Sequence, residues 1–246
     1  MLVWDDIRAA LAQGWRDFLR TPGLSMFFGA VAALFGLVFT AGLLVYDQIW
    51  MIVPAGVGFP LVAPFLAAGL YEMSRRYQSG ETFTWGDILG IVVRQQRREF
   101  GWMAFVMLFV FWIWIYQARL LLAIFLQWTS FSSLEGLVHV ITTTSNGAMF
   151  LGLGTIVGAL LATVLFSITV ISMPLLLDEE IDFISAMILS VKSVLANRAV
   201  MLGFGVVIAL ATFIAIVPLF AGLVVVFPVL GHATWHVYRR ALEKKT

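Results

Sequence analysis

Six apolar runs punctuate the chain, at residues 24–45, 49–70, 102–126, 147–171, 199–217 and 219–238. An α-helix crosses the roughly 30 Å hydrocarbon core of a bilayer with about 20 residues, so the runs predict six crossings. The closing stretch, 201–240, holds no acid and no lysine, and its only arginines are its last two residues. It predicts two helices folded back on each other at Pro218. The second run contains Pro54, Pro60 and Pro64. Each proline removes a backbone donor and crowds the preceding turn, which predicts a kinked or partly broken helix. The third run is rich in aromatics, and its Arg119 lies near the far end, where the side chain can reach the interface. Residues 127–146 form a mixed connector that predicts a short helix on the opposite surface. The fourth run carries Gly154 and Gly158 as a GxxxG pair, which predicts close approach of another helix.

Each pair of runs is preceded by a segment with helical amphipathicity. In the first, Trp4, Ile7, Leu11, Trp15 and Phe18 share a face, with Asp5, Arg8, Gln13, Arg16 and Asp17 off it. In the second, Trp85, Ile88, Leu89, Val92 and Phe100 form the stripe. In the third it is Ile184, Met187, Ile188, Val191, Val194 and Leu195. Thr84 followed by Asp87 fits a capping box. Asp178, Glu179 and Glu180 place negative charge where a helix N-terminus favours it, and the cluster they form with Asp182 is expected to cap a helix rather than to form a divalent-cation site. Trp4-Asp5-Asp6-Ile7 and Trp85-Gly86-Asp87-Ile88 share a W-x-D-I pattern. Pro64 precedes Arg75, and Pro228 precedes Arg239, by the same interval. The expected fold is therefore all-α: a polytopic membrane helix bundle of six transmembrane helices as three hairpins, each preceded by an amphipathic cytoplasmic interfacial helix. It forms a single integral membrane domain over 1–246, with repeat-like units at 1–71, 84–172 and 178–240.

Composition agrees and adds a direction. Of 246 residues 61% are hydrophobic and only 12% charged, more apolar surface than a soluble domain of this size buries. Of the 15 lysines and arginines, all but Arg119 fall on one side of the six runs. The positive-inside rule then places both termini in the cytoplasm. The N-terminal segment is too polar and too long for the basic region of a secretory signal, so no cleavage is expected. With no cysteine, disulfides, thiolate nucleophiles and cysteine-bound metals are excluded.

One pair of residues offers cofactor chemistry. His232 and His236, four apart on the last run, could share a metal or haem, although such a site usually needs further ligands. His139 is expected on the opposite side of the membrane, and Glu72 is the one acid placed at a similar depth. The simpler reading makes His232, Trp235, His236 and Tyr238 an interfacial belt beneath Arg239 and Arg240. No cofactor is expected on that reading, and haem or metal at the two histidines is the alternative. Arg75, Arg76, Arg94, Arg97 and Arg98 are candidates for lipid headgroups. No run has a charge near its middle, and no phosphate-binding loop, HExxH or G-x-S-x-G is present, so an enzyme is not expected.

The segments MPLLLDEEIDFISAMILSVKSVLANRAVM and VVVFPVLGHATWHVYRR resemble the alphaproteobacterial family of predicted integral membrane proteins of unknown function. Its members have about six spans and are sometimes loosely labelled as relatives of cytochrome c oxidase subunits. The resemblance implies an inner-membrane address and, through those labels, a respiratory connection. The functional expectation is a non-enzymatic accessory or scaffold subunit that sits in the lipid bilayer and binds another integral membrane protein or complex, with no nucleic acid partner. The alternatives are a small-molecule or lipid carrier that uses the proline-broken second helix, and a haem or metal-binding membrane protein.

Overall fold

The computed structural model describes residues 1–46, 52–95, 99–126 and 134–243, and for 52–65, 92–95 and 134 the backbone alone. Among the described residues every regular element is a helix: α1 (Trp4–Arg20), α2 (Pro22–Val45), α3 (Ile52–Ser79), α4 (Trp85–Gln95), α5 (Glu99–Leu126), α6 (Leu134–Thr143), α7 (Ser145–Thr169), α8 (Ser172–Asp178), α9 (Phe183–Ala196), α10 (Arg198–Ile216) and α11 (Leu223–Glu243). Four are long and apolar enough to cross a membrane by length and composition: α2, α5, α7 together with α8, and α10. Of the kinked or partly broken helix expected in the second run, the break is not found: α3 runs as one helix past Pro54, Pro60 and Pro64.

Local chemistry sets the boundaries. Pro22 occupies the first turn of α2, where its missing N–H costs nothing. The Thr84–Asp87 box opens α4 as predicted: the Asp87 carboxylate accepts from Thr84 N–H at 2.8 Å, and Thr84 Oγ1 accepts from Asp87 N–H at 3.4 Å. Pro174 crowds the carbonyl four residues before it, and the chain breaks at Val170 and Ile171, between α7 and α8. Ser190 of α9 seals that break, accepting from Ile171 N–H at 3.2 Å and donating to the Ser167 carbonyl at 2.7 Å. The acidic cluster does cap a helix, through Asp182, and Asp178 has a different task. Asp182 caps α9, accepting from Ser185 N–H at 2.9 Å, while Asp178 ends α8 and bonds to α11.

The bundle is built around α11, which packs on α1, α2 and α3 more extensively than on its chain neighbour α10. Every residue of 230–238 is buried, so this stretch of the helix is enclosed on every side. Small residues allow it. A Cβ on Gly14 would lie 2.7 Å from Ala233 N and Val229 O, and one on Gly29 would overlap the Val224 carbonyl. Partners along the seam run antiparallel: Asp6 reaches Arg240, Asp17 reaches His236, and Ser25 reaches His232. A second group joins α5 to α7, where Trp114 fills the notch left by Gly158. The GxxxG pair thus packs against an aromatic helix.

The leaders form, but they are turned from their expected faces. In α1 the buried row is Asp6, Ile7, Ala10, Gly14, Asp17 and Phe18, while Trp4, Trp15 and Leu19 stay exposed. In α9, Ala186, Ser190 and Val194 are buried, and Ile184, Ile188 and Leu195 are exposed. In α4, Ile88 is buried whereas Trp85 and Leu89 are exposed, and Phe100 belongs to α5. The inner faces of α1 and α9 thus mix small and polar residues with apolar ones, α4 turns Ile88 inward, and all three keep an outer apolar row. That division suits a helix lying at a bilayer surface. The basic ends of the bundle meet in space: Asp178 with Arg239, Glu99 with Phe183 N–H, and Leu2 N–H with Asn197.

Candidate functional site

Where α1, α2, α3 and α11 converge, a chain of polar side chains runs through the core. Asp17 of α1 is 4% exposed, Ser25 of α2 and Ser74 of α3 are fully buried, and His232 and His236 of α11 are 0% and 5% exposed. Asp17 Oδ2 accepts two bonds, from Ser74 Oγ at 2.8 Å and from His236 Nε2 at 2.7 Å. Ser74 Oγ also lies 2.8 Å from His232 Nδ1, and Ser25 Oγ lies 3.1 Å from His232 Nε2. Gln78 Nε2 stands 3.2 Å from His236 Nδ1, and Gln78 Oε1 accepts from Trp235 Nε1 at 3.1 Å.

Counting protons fixes both tautomers. The single Ser74 hydroxyl proton goes to the Asp17 carboxylate, so His232 Nδ1 carries the proton that Ser74 accepts. His232 Nε2 is then an acceptor, filled by the Ser25 hydroxyl. The Gln78 amide nitrogen can only donate, so His236 Nδ1 accepts and His236 Nε2 carries the proton given to Asp17. Two neutral imidazoles and one carboxylate thus satisfy every bond in the chain. Burial works to raise the Asp17 pKa, but the hydrogen bond from His236, followed by that from Ser74, outweighs it and holds the carboxyl below its ordinary value.

A second set of polar contacts rims the basic end. Glu72 accepts from Arg75 Nε and Nη2 at 2.8 Å each and from Arg76 Nε at 2.6 Å. Asp178 accepts from the Tyr238 hydroxyl at 2.8 Å and from Arg239 at 3.1 Å. Arg240 reaches Gln13 at 3.2 Å and Asp6 at 3.5 Å, and Asp6 accepts from Val3 N–H at 2.7 Å. The Arg20 guanidinium lies 5.0 Å over the Tyr77 ring, whose hydroxyl meets Thr21.

The sequence places His232 and His236 on one face, and the structure does bring them to one site, but the expected interfacial belt is overturned. His232, Trp235, His236 and Tyr238 are all buried inside the bundle, because α1 and α3 close over α11. The acid at their depth is Asp17, not Glu72, which is committed to two arginines. All four imidazole nitrogens face protein side chains, so a metal or haem at these rings would have to displace those bonds. Among the described residues no group of three or more histidines and acids stands ready to hold a metal. Of the arginine candidates, Arg75 and Arg76 pair with Glu72. The side chain of Arg94 and the whole of Arg97 and Arg98 lie outside the described residues. Asp17, Ser25, Ser74 and Gln78 escaped the reading of the sequence. The one legible signal, for Asp17 alone, was the row Asp6, Ala10, Gly14, Asp17, which follows helical spacing with side chains small enough for close approach.

A family model described as a predicted integral membrane protein, DUF2189, matches residues 52–178, just over half of the chain. No curated protein and no solved structure matches it.

Proposed function

The chain belongs to the DUF2189 family of predicted integral membrane proteins, and we propose that it is a non-enzymatic accessory or scaffold subunit of a protein complex in the bacterial inner membrane. In this reading both termini are cytoplasmic, three helix pairs enter from that face, and the leaders α1, α4 and α9 lie along it. The partner is another integral membrane protein, and a respiratory complex is the first candidate to test.

One observation carries the reading. The buried ionisable and polar side chains of the α1–α2–α3–α11 junction are spent on bonds between helices, Asp17 to His236 and Ser74 to His232 above all. Such a network fixes one arrangement of the bundle and suits a rigid platform more than a site that must exchange a substrate. The exposed outer rows, with Trp4, Trp15, Trp85 and Ile188, then offer a broad apolar rim at the basic end.

The test is extraction from native membranes in mild detergent, followed by native electrophoresis and mass spectrometry. A membrane protein co-purifying in fixed ratio is the expected result. A chain that purifies and migrates alone overturns the proposal.

A further inference from the structure

We propose that the α10–α11 pair is a re-entrant hairpin: it enters from the basic face and turns back inside the hydrocarbon layer, with its tip, residues 217–222, against acyl chains of the far leaflet. This rests on the membrane reading above but not on the scaffold role.

Two independent rulers place the tip short of the far face. The first is α2, which runs antiparallel to α11. The ring of Phe220 occupies the notch at Gly36, where a Cβ would come within 2.5 Å of it. Gly36 is nine residues before the end of α2 at Val45, and at about 1.5 Å per residue the turn stops roughly 13 Å short of that end. The second ruler is α7, antiparallel to α10. Phe166 meets Phe204 with ring centroids 6.5 Å apart. From Phe204, α10 continues for twelve residues to Ile216, about 18 Å, whereas α7 extends twenty-one residues back to Ser145, about 31 Å. The last residue of α10 is thus roughly 13 Å short of the start of α7, a gap that the few residues of the turn do not close. An average helix tilt of about 20° changes either projection by less than about a tenth.

The chemistry of the turn agrees with that depth. Its sequence, VPLFAG, has no polar side chain, whereas the other two connectors at that end carry Asp47 and Gln48, and Glu135 and His139. Leu219 and Phe220 adopt left-handed φ angles of 50° and 66°, positions where a turn in water ordinarily takes glycine or asparagine. Leu219 is 77% and Val217 70% exposed, continuous with the outward row Val206, Leu210, Phe213 and Ile214 of α10. Much of the backbone of the turn is also provided for. Phe220 N–H bonds to Ile216 O at 3.0 Å, Ala221 N–H to Pro218 O at 3.1 Å and Leu223 N–H to Phe220 O at 2.9 Å. Pro218 has no N–H to satisfy. Lipid tolerates a turn only when its backbone groups find partners internally. A hairpin that returns to its own side leaves the C-terminus on the basic face, as the charge distribution requires.

The chain has no cysteine, so single substitutions report without background. Leu219→Cys, Asn146→Cys at the start of α7 and Arg8→Cys on α1 are each treated with a charged, membrane-impermeant maleimide in intact cells and in inverted vesicles. Asn146→Cys and Arg8→Cys should label from opposite sides. Leu219→Cys should label from neither, and should become fully reactive after unfolding in SDS. Labelling of Leu219→Cys from the Asn146 side at a rate similar to that control overturns the proposal. As a second readout, a spin label at Val217→Cys should be relaxed more by oxygen than by a water-soluble nickel chelate, and the reverse order also overturns it. Labelling of Asn146→Cys and Arg8→Cys from one and the same side would remove the membrane-crossing premise instead, and the absence of a co-purifying partner would leave the pattern unchanged.

Discussion

Replacing Asp17 by alanine removes the acceptor of two buried bonds, from Ser74 at 2.8 Å and from His236 at 2.7 Å. The two donors do not suffer equally. Ser74 has a second partner: if His232 moves its proton from Nδ1 to Nε2, Ser74 can donate to Nδ1 and Ser25 can accept from Nε2. His236 has no such escape. Its Nδ1 is already filled by the Gln78 amide, and Gln78 is oriented by Trp235. One buried N–H is therefore left without a partner, at a cost of about 1–3 kcal/mol, and up to about twice that if the His232 exchange fails. For a chain of this size each kcal/mol lowers the melting temperature by about 2–4 °C, so Asp17→Ala should melt roughly 2–12 °C below wild type when the His232 exchange occurs, and up to about twice as far below when it does not. Tryptophan fluorescence in detergent can follow this, since Trp235 lies in the network. The decisive variant is the double mutant Asp17→Ala/His236→Leu. Deleting donor and acceptor together leaves an apolar contact, and Gln78, which is exposed, can turn to water, so most of the loss should be recovered. A neutral Asp17→Ala, or a double mutant whose loss is the sum of the two single losses, would refute the proton assignment.

Two further outcomes follow from the same seam. The folded protein holds the Asp17 pKa below its ordinary value, so the ionised carboxyl stabilises the fold above about pH 4, and this contribution is lost as pH falls through the lower, folded-state value. Melting curves of wild type and Asp17→Ala should converge in that acidic range and stay apart at neutral pH. Gly14→Val should cost about 1–3 kcal/mol, because its Cβ would meet Ala233 N and Val229 O, backbone atoms that yield only if α1 and α11 separate. Gly42→Ala, where nothing lies within 4 Å, should be neutral or slightly stabilising in the same melting assay.

Helix boundaries were largely readable because local rules set them. Run length marked α2, α5, α7 and α10, the Thr84–Asp87 box opened α4, and helical periodicity announced α1 and α9. The faces were not readable. A stripe of large apolar residues in α1 looks like the side to bury, yet in a membrane protein lipid receives Trp4, Trp15 and Leu19 as readily as a core does. The inner face goes to whichever side allows the closest backbone approach, and that is the small row through Ala10 and Gly14.

The same physics separates the two levels for the whole protein. Composition alone determined that the chain belongs in a bilayer, and the placement of fourteen of its fifteen basic residues along the six apolar runs predicted a single basic face. Those properties are sums over residues and need no partner. The polar junction is different, since it draws Asp17, Ser25, Ser74, His232 and His236 from four helices spread across the length of the chain. Each looks unremarkable in its own segment: a surface acid, two serines, two histidines beneath an arginine pair. Only the docking of the helices against one another removes water from them, and it is that removal which turns five ordinary side chains into one hydrogen-bonded unit. The depth of the α10–α11 turn was likewise fixed by contacts, Phe220 on Gly36 and Phe204 on Phe166, and not by the length of an apolar run.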